Sequence, residues 1–315
     1  MKRQSICLII PMYGDADYFE RCIESMSKLT YEPLEIILVD DGMTPSALHK
    51  VERFAPRVRV LKSNGKGPAY ARNYAAQQTN ADLIAFTDSD CIVSPDWLQQ
   101  LCEGLGADPE IAGCGGGQVS PEGSTPFQQH AMFFLQRMGM VAEYVRRPGE
   151  EGVLEVNHNA SCNVLYRRQA FLEVGGFPDA IFPGEDVVLD RRLTDAGYKL
   201  RHKPSATVRH FRPTAYNSFR RWMWRYGLAQ GWLVRHYGFF RKVHYVGVLA
   251  SLMAAVVLLT AIFRVGDVAS ALLVGILAVW AWLRFNVTLL CMLGVAGGAW
   301  LTGFIWGVMK PRRFI

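Results

Sequence analysis

Paired cysteine spacing is what this 315-residue sequence most plainly lacks. Its seven cysteines are scattered, with no C-x-x-C among them. That argues against a disulfide framework or a zinc site and for reduced thiols in a cytosolic compartment. An export signal is lacking as well. The first apolar run, residues 6–10, is too short for a signal peptide and ends in Pro11, Met12, Tyr13 and Gly14. It reads as the first strand of a domain expected to stay cytosolic. The marks of disorder are also missing, since half of the residues are hydrophobic and only a fifth are charged. The length suits one large domain or two smaller ones, either with a sizeable core. The net charge of +6 is modest, and only its placement carries information.

What is present divides near residue 214. Up to 213, strand-like runs (6–10, 34–39, 58–61, 83–86) alternate with helix-like stretches (17–28, 68–78, 95–104). This β-α-β-α order predicts an α/β domain with a largely parallel, Rossmann-like sheet. Residues 243–309 differ. The run 243–263 has no Asp, Glu, Lys or Arg and is about as long as a bilayer is thick. Shorter or glycine-rich apolar runs follow at 268–283 and 286–309. These predict membrane-embedded helices over 243–315. Three crossings would place Lys310, Arg312 and Arg313 opposite the catalytic domain, so the positive-inside rule favours an even number. The join, 214–242, interleaves Phe219, Trp222, Tyr226, Leu233 and Tyr237 with Arg220, Arg221, Arg225, Arg235 and Arg241. Such a stripe suits an interfacial helix on an anionic leaflet. Nucleic-acid binding is the competing reading, and the apolar runs that follow turn the choice to a membrane partner and no nucleic acid.

The most informative cluster is Asp88-Ser89-Asp90, just after the apolar run 83–86. Open α/β sheets bind ligands beyond the carboxyl ends of their strands. Carboxylates there suit Mg²⁺ or Mn²⁺, and those ions suit a diphosphate. A polar turn is the plain alternative. Three other strand ends carry chemistry: Pro11 to Gly14, Asp40-Asp41-Gly42, and the glycine-bearing stretch from Asn64 through Arg72 to Asn73. A glycine turn lets backbone approach a ligand closely. Arg72 suits either a phosphate or an acidic loop.

In order, these pieces resemble the family 2 glycosyltransferases, which have a GT-A fold, and the membrane-anchored bacterial type in particular. The matching segments also include Asn163 to Arg168, Val174-Gly175-Gly176-Phe177, Gly184-Glu185-Asp186 and Val208-Arg209-His210. The resemblance covers roughly 5–212. It implies a GT-A catalytic domain over 1–213, to which the patterning of the rest adds an interfacial segment over 214–242 and membrane helices over 243–315. It further implies that Asp41 binds the nucleotide base, with Pro11 and Tyr13 lining that pocket and Asn64 and Arg72 near the donor. Asp88 would face the ribose or sugar, and Asp90 would hold Mn²⁺ or Mg²⁺. Asp186 would be the general base, with Glu185 beside it. His210 matches a metal- or diphosphate-contacting histidine of some relatives, and equally reads as a strand histidine. Glu185 and Asp186 also suit the first turn of a helix.

The implied activity is inverting transfer from a nucleotide sugar, UDP-linked by default, to a membrane-associated acceptor. That acceptor would be a polyprenyl-diphosphate-linked sugar or a glycolipid, in polysaccharide or glycoconjugate assembly. The place would be the inner (plasma) membrane, multi-pass or hairpin-anchored, with a cytoplasmic catalytic domain. Transfer to a polyprenyl phosphate is the alternative, although it needs no base. A processive synthase fits less well, because Q-x-x-R-W is here Ser218-Phe219-Arg220-Arg221-Trp222. Trp222 and Arg221 stay candidates for the acceptor side. A nucleotidyltransferase would need a basic glycine-rich first loop, which residues 11–15 lack.

Overall fold

The computed structural model describes residues 3–14, 18–32, 34–52, 58–137, 152–179, 181–241, 243–245, 248–249, 252 and 297–309. Strand β1 (Ile6–Gly14) is buried through Met12, as a strand covered on both faces must be. Its alternating side chains divide the core. Ile6, Leu8, Ile10 and Met12 pack with α1 (Phe19–Ser27) and α4 (Trp97–Leu105). Cys7 and Ile9 pack with α3 (Pro68–Gln77), α6 (Arg168–Glu173) and α7 (Glu185–Asp195). Helices on both faces of one sheet make a three-layer α/β/α arrangement.

Among the described residues the sheet has nine strands. From one edge it runs β3 (Arg59–Lys62), β2 (Leu34–Met43), β1, β4 (Leu83–Thr87), β8 (Asn163–Arg167), β6 (Ile111–Val119), β9 (Lys199–His210) and β5 (Cys91–Val93), with β7 (Leu154–Val156) paired to β9. The first four strands are parallel. Strand β8 then enters antiparallel to both β4 and β6, while β6 and β9 form a second long parallel ladder. Strand β6 is sequence-poor in side chains (IAGCGGGQV) because its neighbours leave no room. A Cβ at Gly116 would overlap the Ala206 carbonyl, and one at Gly115 the Asn159 side chain. The chain works outward from β1 through β2 to β3 and returns to β4 on the other side of β1. The order thus reverses between β1 and β4, which opens a crevice at their carboxyl ends. The four expected strands are present, with β1 and β2 running four residues further at their carboxyl ends. The expected helices match α1, α3 and α4 within two residues, whereas α2 (Pro45–Glu52), between β2 and β3, was not anticipated.

The chain forms two compact units: Met1–Ser124 with Val141–Arg212, and Thr125–Met140 with Pro213–Ile315. Thr125 and the helix that follows it thus group with the C-terminal unit. The reason is aromatic packing. Phe127 and Phe134 of α5 (Pro126–Arg137) meet Phe219 of α8 (Tyr216–Tyr237) edge-on, at ring separations of 5.8 and 6.4 Å.

In the same unit α8 lies against α9 (Gly298–Met309). A Cβ at Gly227 or Gly231 would overlap the carbonyl of Trp300 or Phe304, and one at Gly303 or Gly307 the carbonyl of Trp224 or Leu228. Contacts advance together along both helices, so the pair is parallel. Two glycines four residues apart share a helix face, and small residues there let backbones touch. Arg235 Nη1 donates to the Val308 and Met309 carbonyls at 2.8 and 2.9 Å, capping the end of α9. The expected membrane helices over 243–315 fall mostly outside the described residues. Among the described residues, no helix is long and apolar enough to cross a membrane.

Candidate active site

The parallel strands deliver their carboxyl-end residues to one crevice. At the end of β2, Asp41 is buried and accepts hydrogen bonds from Ser63 Oγ at 2.6 Å and Gly67 N at 2.9 Å. The glycine-bearing loop after β3 is thereby folded around this carboxylate. Asn64, in the left-handed region at φ 60°, and Gly65 and Gly67, also at positive φ, make that turn. Asn64 itself is exposed. Asp40 closes the neighbouring turn by accepting from Gly42 N and Met43 N at 3.0 and 2.8 Å. At the end of β1, Pro11 is buried beside Val39. Tyr13 is 77% exposed, and its ring lies over Gly42, where a Cβ would come within 3.2 Å of it. Pro11, Tyr13, Asp41 and Asn64 thus sit together at the ends of β1, β2 and β3.

Arg72, on α3, is buried and anchored at both terminal nitrogens. It donates to Asp88 Oδ1 at 2.5 Å and to Glu185 Oε1 at 3.1 Å, and its Nε has no hydrogen-bond partner. Of its two sequence readings, the contacts seen are those to acidic residues. A guanidinium can hold two carboxyl groups in fixed directions, so Arg72 ties the loop after β4 to the start of α7.

After β4, Asp88 and Asp90 are partly exposed. Asp90 Oδ1 lies 3.2 Å from His210 Nε2, because β5 and β9 pair Cys91 with His210. Burial pushes the Asp90 carboxyl up, but His210 and Arg212 outweigh it and hold the carboxyl low. Burial and Arg212 push the His210 ring down, but the charge of Asp90 reverses this and carries its pKa up to about 10. Asp88, Asp90 and His210 offer one donor atom each, all within 4.8 Å of one another. Two carboxylates and an imidazole fit a divalent cation such as Mn²⁺ or Mg²⁺, which would take the place of the proton shared by Asp90 and His210. On the far side of the ring, Gln118 Oε1 is 3.4 Å from Nδ1 and accepts from Arg212 at 2.5 Å. Cys162 Sγ also approaches Nδ1, at 3.6 Å.

Glu185 and Asp186 open α7 behind Gly184, which has φ 106°. Asp186 accepts from Val187 N at 2.8 Å and Ser161 N at 3.3 Å. Those two bonds hold a half-buried carboxylate at the helix start. Glu185 is buried, and burial together with the charge of Asp186 raises its pKa to about 8 against the pull of Arg72. Sequence reasoning missed what supports this pair. Asp190, one turn further along α7, is buried and takes His158 Nδ1 at 2.8 Å, Asn159 N at 2.7 Å and Tyr166 Oη at 2.6 Å. Its i, i+4 spacing from Asp186 was the signal available. Asn73 clamps the preceding loop through Phe177 N and O. Trp222 and Arg221 lie in the other unit, on α8. Trp222 stacks between Phe219 and Tyr226, and Arg221 is exposed.

Residues 7–175 match the family described as glycosyl transferase family 2. The chain is 26% identical over 207 residues to glycosyltransferase AglE of Haloferax volcanii, covering 62% of this chain and 63% of that protein. It is 28% identical over 177 residues to the glucosyl-dolichyl phosphate glucuronosyltransferase of the same organism, 55% of each chain. The chain therefore spans less than two thirds of the length of these relatives. Among solved structures, the mannosyltransferase PcManGT of Pyrobaculum calidifontis, in complex with GDP-Man and Mn²⁺, superposes with a TM-score of 0.70 at 16% identity over 98% of this chain and 88% of that one. At that identity the likeness concerns the fold.

Proposed function

The chain belongs to glycosyl transferase family 2, and on that footing we propose that it transfers a sugar, with inversion, from a nucleoside diphosphate to a hydroxyl of a lipid-linked acceptor. The observation that carries this reading is the bridge Asp88–Arg72–Glu185. It links the metal-binding side of the crevice to the side bearing Asp186.

In this reading Asp41 takes the base N–H, and the exposed ring of Tyr13 stacks on the base. Asp88, Asp90 and His210 would hold the divalent ion, which stabilises negative charge on the departing diphosphate when bound. Gln118 accepts the ring proton of His210 at Nδ1, leaving Nε2 as the metal-facing nitrogen. Asp186 accepts the proton of the attacking hydroxyl. Glu185 keeps its own proton at neutral pH, so it adds no charge beside the base. One base and one leaving group on opposite sides of the anomeric carbon give a single displacement.

The acceptor side rests on different support. Exposed arginines on α8, apolar α9 and the uncharged run over 243–263 suit a bilayer surface. A relative named for a glucosyl-dolichyl phosphate acceptor agrees with a lipid-linked substrate. We place the protein at the inner membrane with the crevice on the cytoplasmic face, acting in glycoconjugate assembly. UDP is the default nucleotide, with GDP the other choice to test.

The test is Asp186→Asn. Donor binding, read by calorimetry, should be unchanged, while turnover falls by roughly 10²–10⁴-fold, the usual worth of a general base. Undiminished turnover would remove Asp186 from the mechanism.

A further inference from the structure

His210 presents its two ring nitrogens to two chemically different sets of donors. Nε2 faces the oxygens of Asp88 and Asp90. Nδ1 faces the sulfur of Cys162 beside the Gln118 oxygen, and Cys91, Cys162 and His210 offer one ligand atom each, all within 4.8 Å of one another. The Cys162 Sγ to Nδ1 distance is 3.6 Å. A tetrahedral zinc ion with Zn–S of about 2.3 Å and Zn–N of about 2.0 Å sets its S and N ligands about 3.5 Å apart. The sulfur side of the ring already has that spacing. Strand pairing brings in the third ligand, since β5 and β9 align Cys91 with His210, and Cys162 stands at the entry to β8.

We propose that Cys91, Cys162 and Nδ1 of His210 form a binding site for a thiophilic divalent cation such as Zn²⁺, and that its occupation switches the enzyme off. Thiolates and imidazole select zinc, whereas carboxylates select Mg²⁺ and Mn²⁺. Three protein ligands leave the fourth position for water. As the two Zn–S bonds form, both thiol protons leave to solvent. Zinc at Nδ1 moves the ring proton to Nε2, and a protonated Nε2 has no lone pair for the ion held by Asp88 and Asp90. A neutral imidazole serves one ion or the other. The binding site stands on geometry alone, while the inhibition rests on the role proposed above for His210.

The experiment uses the reduced 315-residue chain in detergent, titrated with Co²⁺ as a spectroscopic substitute for zinc. One equivalent should produce thiolate-to-cobalt charge-transfer absorption. Added Zn²⁺ should erase it, Cys91→Ser and Cys162→Ser should lose it, and Asp90→Asn should keep it. Absence of the band in the unmodified chain, or its persistence in both cysteine variants, would overturn the site. X-ray absorption on the zinc-loaded unmodified chain needs no variant: two sulfur neighbours are expected, and a shell of nitrogen and oxygen only would overturn the proposal. Zinc should also suppress Mn²⁺-dependent turnover in the unmodified chain and not in Cys162→Ser. A two-sulfur zinc site without suppression would uphold the site and overturn the switch.

Discussion

A single guanidinium, Arg72, faces three carboxyl groups: Asp88, Glu185 and Asp186. One of them is best left neutral, and the buried Glu185 is the one that keeps its proton. The sign of the resulting pH dependence follows from linkage. Unfolded, Glu185 releases its proton near the model-peptide value of 4.5; folded, it holds the proton until about 8. Between those values the native state binds more protons than the unfolded chain, so this group makes stability fall as pH rises through the window. Urea unfolding at the two ends of the window should show that loss, and Glu185→Gln should reduce it. An unaltered slope in the variant would mean that Glu185 ionises normally. The acidic motifs themselves were legible in the sequence because each is contiguous, at a strand end for Asp40-Asp41 and Asp88-Ser89-Asp90 and at a helix start for Glu185-Asp186. Their supports were not. Gln118 meets His210 across 92 residues, and Tyr166 meets Asp190 across 24. No local spacing encodes such contacts.

The helix pair α8 and α9 makes the same point one level up. Periodic aromatics and arginines over 214–242 correctly announce a helix. They do not announce that Gly227 and Gly231 are a docking stripe for Gly303 and Gly307, because the partner glycines lie some seventy residues on and inside a run read only for its apolarity. Backbone contact of this kind tolerates no added atoms. Gly231→Leu should destabilise the second unit by at least the 1–3 kcal/mol or so typical of overpacking. Gly298→Ala, where a Cβ meets nothing within 4 Å, serves as the control. Thermal melts in detergent compare them, and equal melting of the two variants would dissolve the stripe. The sheet was easier to anticipate. Four parallel strands announce themselves by short apolar runs, whereas β8 and the glycine-rich β6 carry little periodicity, so the antiparallel insertion between β4 and β6 stayed hidden.

At the scale of the whole molecule, the proposal gives one unit a nucleotide-sugar crevice and the other a membrane-facing surface. Trp224 of α8 and Trp306 of α9 are exposed, at 38% and 47%. Indole rings favour the headgroup level of a bilayer. In the reconstituted protein, lipids brominated near the headgroup should quench tryptophan fluorescence, and Trp224→Phe with Trp306→Phe should lose a share of that quenching. Identical quenching in the double variant would place these rings away from lipid.

The central claim is metal-dependent activation of a nucleotide sugar at Asp90. Release of nucleoside diphosphate from a panel of UDP- and GDP-sugars, with and without Mn²⁺, tests it most directly, with Asp90→Ala run alongside. The account predicts that at least one donor is hydrolysed only with the ion, and that Asp90→Ala abolishes this. Hydrolysis indifferent to Mn²⁺ or to Asp90, or no hydrolysis of any donor, would contradict it.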